Sequence, residues 1–126
     1  MKGYCCSQTI MALCTEDLGR ENEDLIDAMA AFCNGMGHGK ICGTLASAVA
    51  ALYVANASAA QNYMQDELMD WFNDQYGGYD CFDIIRDDPV MCLNLCPVIV
   101  EETYTKLSEL LWPESNDVAF PKYAGQ

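Results

Sequence analysis

Apolar residues recur at helical spacing along most of this chain, and a glycine-rich segment interrupts the pattern between residues 33 and 40. Cys6, Ile10 and Leu13 follow the spacing of one helix face. The segment reads CNGMGHGK, with three glycines at alternate positions, and glycine is poor in either regular element. No convincing alternation indicates a strand. We therefore predict an all-α fold, a compact single-domain bundle of about five helices, with a glycine-rich loop before the central helix.

Glycine, proline and capping residues mark where the predicted helices begin and end. Gly19 ends the first helix by adopting a left-handed conformation, and Gly77-Gly78 stops the fourth. The fourth helix begins near Ser58, a suitable N-cap, and a short helical turn covers residues 81–86. Pro97 begins the last helix, because proline is favoured at the first helical position.

The third predicted helix, residues 41–56, is rich in alanine, and we expect it to be the central, buried helix. Along it, Gly43, Ser47 and Ala50 form a seam of small side chains. A seam of this kind allows a neighbouring helix to approach closely.

The chain has 126 residues, which is enough for one hydrophobic core, and we place that core in residues 5–112 of a single domain, 1–126. Residues 113–126 contain two prolines and no periodic pattern, so we expect a surface tail. The longest apolar stretch, Ile41–Ala55, is too short and too weakly apolar to span a bilayer. No secretory leader pattern is present at the start. These observations predict a cytoplasmic protein without a membrane partner.

The balance of charge is strongly acidic, with a net charge of −13 from 19 acidic and 6 basic side chains. Nucleic acids and anionic membranes both require a basic surface, so the composition argues against either partner. An acidic surface keeps a protein soluble and also allows docking to a basic surface on a partner. We expect an unidentified redox partner with a basic docking surface, and no nucleic acid. The sequence does not predict an oligomeric state.

Cysteine is unusually frequent, with eight residues: Cys5, Cys6, Cys14, Cys33, Cys42, Cys81, Cys92 and Cys96. In a secreted protein they would indicate a disulfide framework. This chain has enough apolar residues to fold without such staples. In a reducing compartment, so many cysteines point to metal binding or redox chemistry.

Four of the cysteines lie near predicted helix starts. Cys6 opens the first helix, Cys42 the third and Cys81 the short turn, and Cys96 directly precedes Pro97. A helix N-terminus carries partial positive charge, which favours thiolate and lowers the pKa of a cysteine. Thiolate is the form that attacks disulfides and binds metal. We predict that these four side chains converge in space as redox thiols, or as metal ligands if a cluster is bound.

The other cysteines fall into two groups. Cys14 and Cys33 lie near apolar helix faces, and we interpret them as small buried hydrophobes outside the site or at its edge. Cys5 and Cys92 remain alternatives for one of the four positions.

Several common motifs are absent. No C-x-x-C occurs, and the glycine segment fits neither a P-loop nor a dinucleotide-binding fingerprint. His38 is the only histidine, and we interpret it as solvated, with its role left open. Glu67, Asp70 and Asp74 follow helical spacing as a solvated face. No acid–base pair supports catalysis on a small molecule, so enzyme activity stays undecided.

Together, these residues resemble the family of redox-active proteins named for its motif, C-GCAxxG-C-C. Residues 6–8 are similar to its opening Cys-x-Gln, and residues 35–48, GMGHGKICGTLASA, to its glycine turn, central cysteine and small-residue helix. Cys81 and the pair 96–97 correspond to the third and fourth cysteines. The sequence departs from the named motif at three positions, Ile41, Gly43 and Ala46.

The resemblance implies electron transfer, in a family found mostly in anaerobes. The four cysteines would either ligate an iron–sulfur cluster or cycle as two dithiol/disulfide pairs. The glycines would shape the site, namely Gly35, Gly37, Gly39 and Gly43. A different hypothesis, a non-enzymatic binding module with buried structural cysteines, remains open from the sequence.

Overall fold

Six α-helices form the fold in this computed structural model, which describes residues 4–85 and 89–113. They are α1 (Cys6–Asp17), α2 (Glu23–Ala28), α3 (Gly43–Ala59), α4 (Gln65–Tyr76), α5 (Cys81–Ile85) and α6 (Pro89–Leu111). Within those residues, extended backbone pairs only in one isolated antiparallel bridge, between Ile41 and Asp80. The predicted all-α bundle is therefore confirmed.

Gly19 ends α1 in the way that the sequence predicts. Its φ is +72°, in the left-handed region. The N–H of Gly19 donates to the carbonyl of Glu16 at 3.0 Å, and the N–H of Arg20 donates to that of Thr15 at 2.9 Å. This pair of bonds is the Schellman motif, which satisfies carbonyls that the helix end would otherwise leave without donors.

The central helix is α3, which packs against both α1 and α6. On it, Gly43 and Ser47 are buried and Ala50 is half-buried. The hydroxyl of Ser47 donates to the carbonyl of Ser7 at 2.6 Å, which ties α3 to α1. A Cβ atom on Gly43 would lie 2.4 Å from the carbonyl oxygen of Phe32, so only glycine fits there. The small residues thus permit the close approach that the sequence predicts.

A kink interrupts α3 near its end, at Asn56, where the backbone is not helical (φ −160°, ψ 87°). The side-chain oxygen of Asn56 accepts from the N–H of Ala59 at 3.1 Å and caps the helical stretch that follows. The cap is therefore Asn56 and not Ser58. One wide turn, Ala60–Met64, then leads into α4, which ends at Gly77 with a φ of +74°.

The helical run Gly43–Tyr76 is 34 residues long, and by length and composition alone it could cross a membrane. The expectation that the apolar stretch is too short does not hold for this longer run. However, 44% of its most apolar window is buried inside the protein, and the core helix of a bundle meets the same criterion.

The hydrophobic core lies around α3, where side chains from α1, α4 and α6 meet it. Its largest fully buried members include Phe72, Ile10, Leu45, Leu52, Leu68, Ile99 and Leu107. The edges of three aromatic rings on α4 meet in T-shaped contacts, between Trp71, Phe72 and Tyr76.

The prediction for the last helix is wrong at its start, because α6 begins at Pro89 and not at Pro97. Pro89 satisfies the same preference for the first helical position. Pro97 lies inside the helix, where it has no N–H to donate to the carbonyl four residues earlier. Cys96 therefore sits in the interior of a helix, and the helix start expected beside it does not exist.

Three expectations concern residues that lie outside the described part of the chain. They are the end of the turn at Arg86, the side chain of Cys92 and the tail 114–126. The extent of a single domain over residues 1–126 also stays a prediction.

Candidate redox site

One cavity of about 200 Å³ lies where the starts of several helices meet. It is lined by Asn34, Gly43, Thr44, Ile99 and five cysteines, Cys5, Cys6, Cys42, Cys81 and Cys96. All four cysteines singled out from the sequence are therefore in one place, although they are far apart along the chain. Their shared lining of one cavity agrees with the predicted convergence, and the role of the four as one site stays a prediction.

The glycine segment forms an irregular turn over residues 35–39 that directs the chain into α3. The φ angles of Gly35, Gly37 and Gly39 are +60°, +73° and +69°. A Cβ atom on Gly35 would lie 2.4 Å from the backbone N and O of Lys40. The N–H of Lys40 donates to the carbonyl of Gly35 at 3.0 Å, which closes the turn. The predicted use of left-handed backbone is confirmed.

Two main-chain hydrogen bonds fix the start of α3 beside the start of α5. The N–H of Cys42 donates to the carbonyl of Tyr79 at 2.7 Å, and the N–H of Cys81 donates to that of Lys40 at 2.6 Å. This pairing places Cys42 next to Cys81 without any bond between sulfurs. No sequence pattern indicates this pairing, because the paired segments are too short to show alternation.

Cys42 is the most deeply buried of the four, with 7% of its surface exposed. Burial raises the pKa of its thiol, because a thiolate loses solvation there, and charge on Cys6 raises it further. The N–H groups of Leu45 and Thr44 and the hydroxyl of Thr44 lower the pKa, but burial outweighs them. The helix start therefore acts in the expected direction, but the net pKa of Cys42 is raised and not lowered as predicted.

Cys6 is the first residue of α1, as predicted, and it carries a free, half-buried thiol. The start of α1 touches the start of α3, since a Cβ atom on Gly43 would lie 3.4 Å from the Cβ of Ser7. Cys6 and Cys42 both line the cavity at this contact between α1 and α3.

Cys81 and Cys96 reach the cavity from α5 and α6. Cys81 is the first residue of α5, as predicted, and α5 packs against α6, which carries Cys96. Both side chains are half-buried. Because α5 has only five residues, its start contributes little electrostatic stabilisation to a thiolate.

A model of the protein family described as "Putative redox-active protein (C_GCAxxG_C_C)" matches residues 4–110. The chain belongs to this family. The match includes the glycine turn and all four cavity cysteines, and it confirms the resemblance seen in the sequence. No curated protein and no solved structure matches the chain. The C-GCAxxG-C-C family is described as redox-active, with no mechanism specified.

A disulfide joins Cys5 to Cys33, with Cα atoms 6.1 Å apart, and the sequence did not predict it. The interpretation of Cys33 as a buried hydrophobe is wrong, since it is half-buried and covalently bonded. Cys5 caps α1 and lines the cavity, whereas Cys33 does not line it. Periodicity gives no information on which cysteines pair, and eight cysteines allow 105 pairings.

Ser7 lies against both of the bonded sulfurs. Its hydroxyl oxygen is 3.2 Å from the Sγ of Cys5 and 3.5 Å from the Sγ of Cys33. The hydroxyl donates its proton to the carbonyl of Met29 at 2.7 Å. Ser7 is fully buried, so this contact is part of the core.

Cys14 and His38, also considered from the sequence, do not line the cavity. Cys14 is buried in the core with 1% of its surface exposed, as expected for a small hydrophobe. His38 is exposed, and its Nδ1 lies 3.0 Å from the carbonyl oxygen of Met36.

The cavity has the right donor chemistry for an iron–sulfur cluster, because such clusters are held by cysteine thiolates. A cluster also requires its ligands to aim at one point. Within residues 4–85 and 89–113, however, no three Cys, His, Asp or Glu side chains are grouped so that they could hold a metal ion. The four thiols are not bonded to one another in this structure, and both the cluster and the disulfide version stay predictions.

Proposed function

We propose that this chain is a small thiol redox protein that transfers electrons by opening and closing disulfides between cavity cysteines. The observation that carries the proposal is the single cavity lined by Cys6, Cys42, Cys81 and Cys96. The helix contacts favour two pairs, Cys6 with Cys42 where α1 meets α3, and Cys81 with Cys96 where α5 meets α6. Membership in the C-GCAxxG-C-C family supports the same class of function.

The electron balance of such a pair is simple. A thiolate of the pair attacks the disulfide of a partner molecule, forms a mixed disulfide and releases one partner thiolate. The second thiol of the pair loses its proton and attacks the mixed disulfide. An intramolecular disulfide forms and the partner's second thiolate leaves. The pair has then given two electrons and two protons to the partner, and a reductant must reopen it.

The surface beside the cavity supports docking of a redox partner. Phe82, which follows Cys81, is 58% exposed, and Met36 on the glycine turn is 53% exposed. A Cβ atom on Gly39 would lie 3.3 Å from the Cβ of Phe82, so the turn and α5 are in contact. With a net charge of −13, the chain suits a partner that surrounds an apolar contact with basic residues. We also propose that the protein works in the cytoplasm.

The test is to locate the disulfides that an external disulfide creates. Fully reduced protein is titrated with oxidised glutathione, remaining thiols are alkylated, and disulfide-linked peptides are identified by mass spectrometry. We expect Cys6–Cys42 and Cys81–Cys96 bonds to form. Cys14→Ala, a change outside the cavity, is the matched control and should give the same two bonds. Cavity thiols that remain alkylatable under oxidation would contradict the proposal.

A second measurement distinguishes the cluster version. Reduced protein is incubated anaerobically with iron and sulfide and then desalted. Under our proposal it stays colourless. Stable visible absorption that is lost in each of the four single Cys→Ala variants would replace the disulfide mechanism with a cluster.

A further inference from the structure

The Cys5–Cys33 disulfide lies against the cavity but is not one of the four cysteines of the proposed site. Cys5 lines the cavity together with Cys6 and Cys42. The residue before Cys33 touches the start of α3, because its carbonyl oxygen lies 2.4 Å from where a Cβ atom on Gly43 would be. Both halves of the disulfide therefore adjoin the helix starts that carry Cys6 and Cys42.

The environment of this disulfide suits the reduced pair as well as the oxidised one. Because Ser7 donates its only hydroxyl proton to Met29, its oxygen can act towards Cys5 and Cys33 only as an acceptor. A disulfide sulfur has no hydrogen to donate, whereas a thiol has one. Ser7 thus offers a hydrogen bond that only the reduced cysteines can use.

We propose that the Cys5–Cys33 disulfide is redox-active and exchanges with the cavity thiols, with Cys6 as the attacking thiol. The inference rests on the proposed function, because it supplies an internal oxidant for the Cys6–Cys42 pair. Both bonded cysteines are half-buried and not enclosed in the core. In a reducing compartment a disulfide is typically transient and catalytic or redox-sensing, which agrees with this role.

The exchange needs no external oxidant. The thiolate of Cys6 attacks the Sγ of Cys33, the Cys5–Cys33 bond breaks, and Cys5 leaves as a thiolate. The Cys42 thiol then gives up its proton and attacks the Sγ of Cys6, which releases the thiolate of Cys33. The protons lost by Cys6 and Cys42 are taken up by Cys5 and Cys33. One disulfide has moved from Cys5–Cys33 to Cys6–Cys42, with no net change in oxidation.

Geometry favours Cys33 as the sulfur that is attacked. Attack on Cys5 would join two adjacent residues, whose Cα atoms are about 3.8 Å apart across a trans peptide. Ordinary disulfides require a Cα separation of about 4.4 to 6.8 Å. Cys33 reaches the first turn of α1 without that strain, since its Sγ lies 3.5 Å from the hydroxyl of Ser7.

The experiment follows the disulfide through the full chain. Reduced protein is oxidised with one equivalent of oxidised glutathione and held at mildly alkaline pH. The reaction is then quenched with acid, and the disulfide linkages are mapped by mass spectrometry. In the wild type we expect both Cys5–Cys33 and Cys6–Cys42 linkages. In Cys42→Ser the exchange should stop at Cys6–Cys33. In Cys6→Ser and Cys6→Ala the Cys5–Cys33 bond should persist without any linkage to Cys42, while Cys81–Cys96 can still form. Cys14→Ala should behave as the wild type does.

Either of two outcomes would overturn the inference. In the first the proposed function stands, and in the second it fails as well. If glutathione disulfide forms Cys6–Cys42 while Cys5–Cys33 never exchanges, the bond is only structural and the proposed function stands. If Cys5–Cys33 stays the sole linkage and no oxidant joins the cavity thiols, both fail. A Cys6–Cys33 linkage in Cys42→Ser supports the inference directly.

Discussion

The two sides of the cavity are held together by different kinds of bond. On one side, main-chain hydrogen bonds from Cys42 and Cys81 join the starts of α3 and α5. On the other side, a covalent bond between Cys5 and Cys33 ties the start of α1 to the segment before the glycine turn. The hydrogen bonds do not depend on the redox state of the protein, whereas the disulfide does.

The difference indicates which part of the site a change of redox state can move. Reduction leaves the pairing of the 40–42 and 79–81 segments intact, because no sulfur takes part in it. The same reduction frees the segment that carries Cys33 from the start of α1. We therefore expect the α3–α5 side to act as a fixed frame and the α1 side to respond to redox state.

The largest effect should come from removing the covalent bond. Cys33→Ala opens a loop between residues 28 apart in sequence. Chain-entropy arguments for a loop of this size predict a loss of about 3.5 kcal/mol in the free energy of unfolding. Urea titration of oxidised wild type and variant measures it. Reductant should bring the wild type down to the stability of the variant and leave the variant unchanged.

Hydrogen exchange checks the other half of the comparison. On reduction, the amides in the first turn of α1 should exchange faster, while those of Cys42 and Cys81 keep their protection relative to global unfolding. Equal loss of protection on both sides would show that the frame also depends on the disulfide.

On the α3–α5 side, stability depends on the glycine turn that leads into α3. Gly35 and Gly37 share a positive φ, but only Gly35 has backbone atoms where a Cβ would go. Gly37→Ala should therefore cost about 1 kcal/mol for the left-handed backbone alone. Gly35→Ala adds a clash with the main chain of Lys40 and should cost about 2 to 3 kcal/mol.

This pair of variants also separates stability from site geometry. Under native conditions, Gly35→Ala should change the alkylation rate of Cys42, because the turn leads directly into α3. Gly37→Ala is the control in the same turn, and it should leave that rate close to that of the wild type. Similar rates in the two variants would mean that the turn does not position Cys42.

Much of the fold could be predicted because its signals are local. The end of α1 follows from Gly19, and the small residues of α3 indicate its close contact with α1. The start of α6 was misplaced because both Pro89 and Pro97 satisfy the same local rule. Only the packing of the whole helix decides that Pro97 is tolerated inside it.

The candidate site was predictable in its members and not in its electrostatics. The four cysteines could be chosen because three of them open helices and all match the family motif. The pKa of Cys42 could not be predicted, since helix position lowers it and burial raises it, and burial depends on the fold. The Cys5–Cys33 bond was missed for the same reason, because a contact between distant residues has no local pattern.

The smallest effect concerns the ionisation of Cys42. Since burial raises its pKa, alkylation of this cysteine in reduced protein should rise with pH around a midpoint above about 8.5, the ordinary thiol value. The sign for stability follows. Below the pKa of the unfolded thiol both states keep the proton, and above it the unfolded state ionises first. The free energy of unfolding should therefore fall as the pH rises from there towards the higher pKa of the folded thiol.

Thr44→Val sharpens this prediction, because it removes a hydroxyl that lowers the pKa of Cys42. The midpoint for alkylation of Cys42 should move further up. Thr15→Val is the matched control, since Thr15 is equally buried but its hydroxyl donates to the carbonyl of Ala12 in α1. A midpoint below the ordinary thiol value would show that the helix start, and not burial, sets the ionisation of Cys42. The cavity would then hold a reactive thiolate on its hydrogen-bonded side, and Cys42 would replace Cys6 as the expected attacking group.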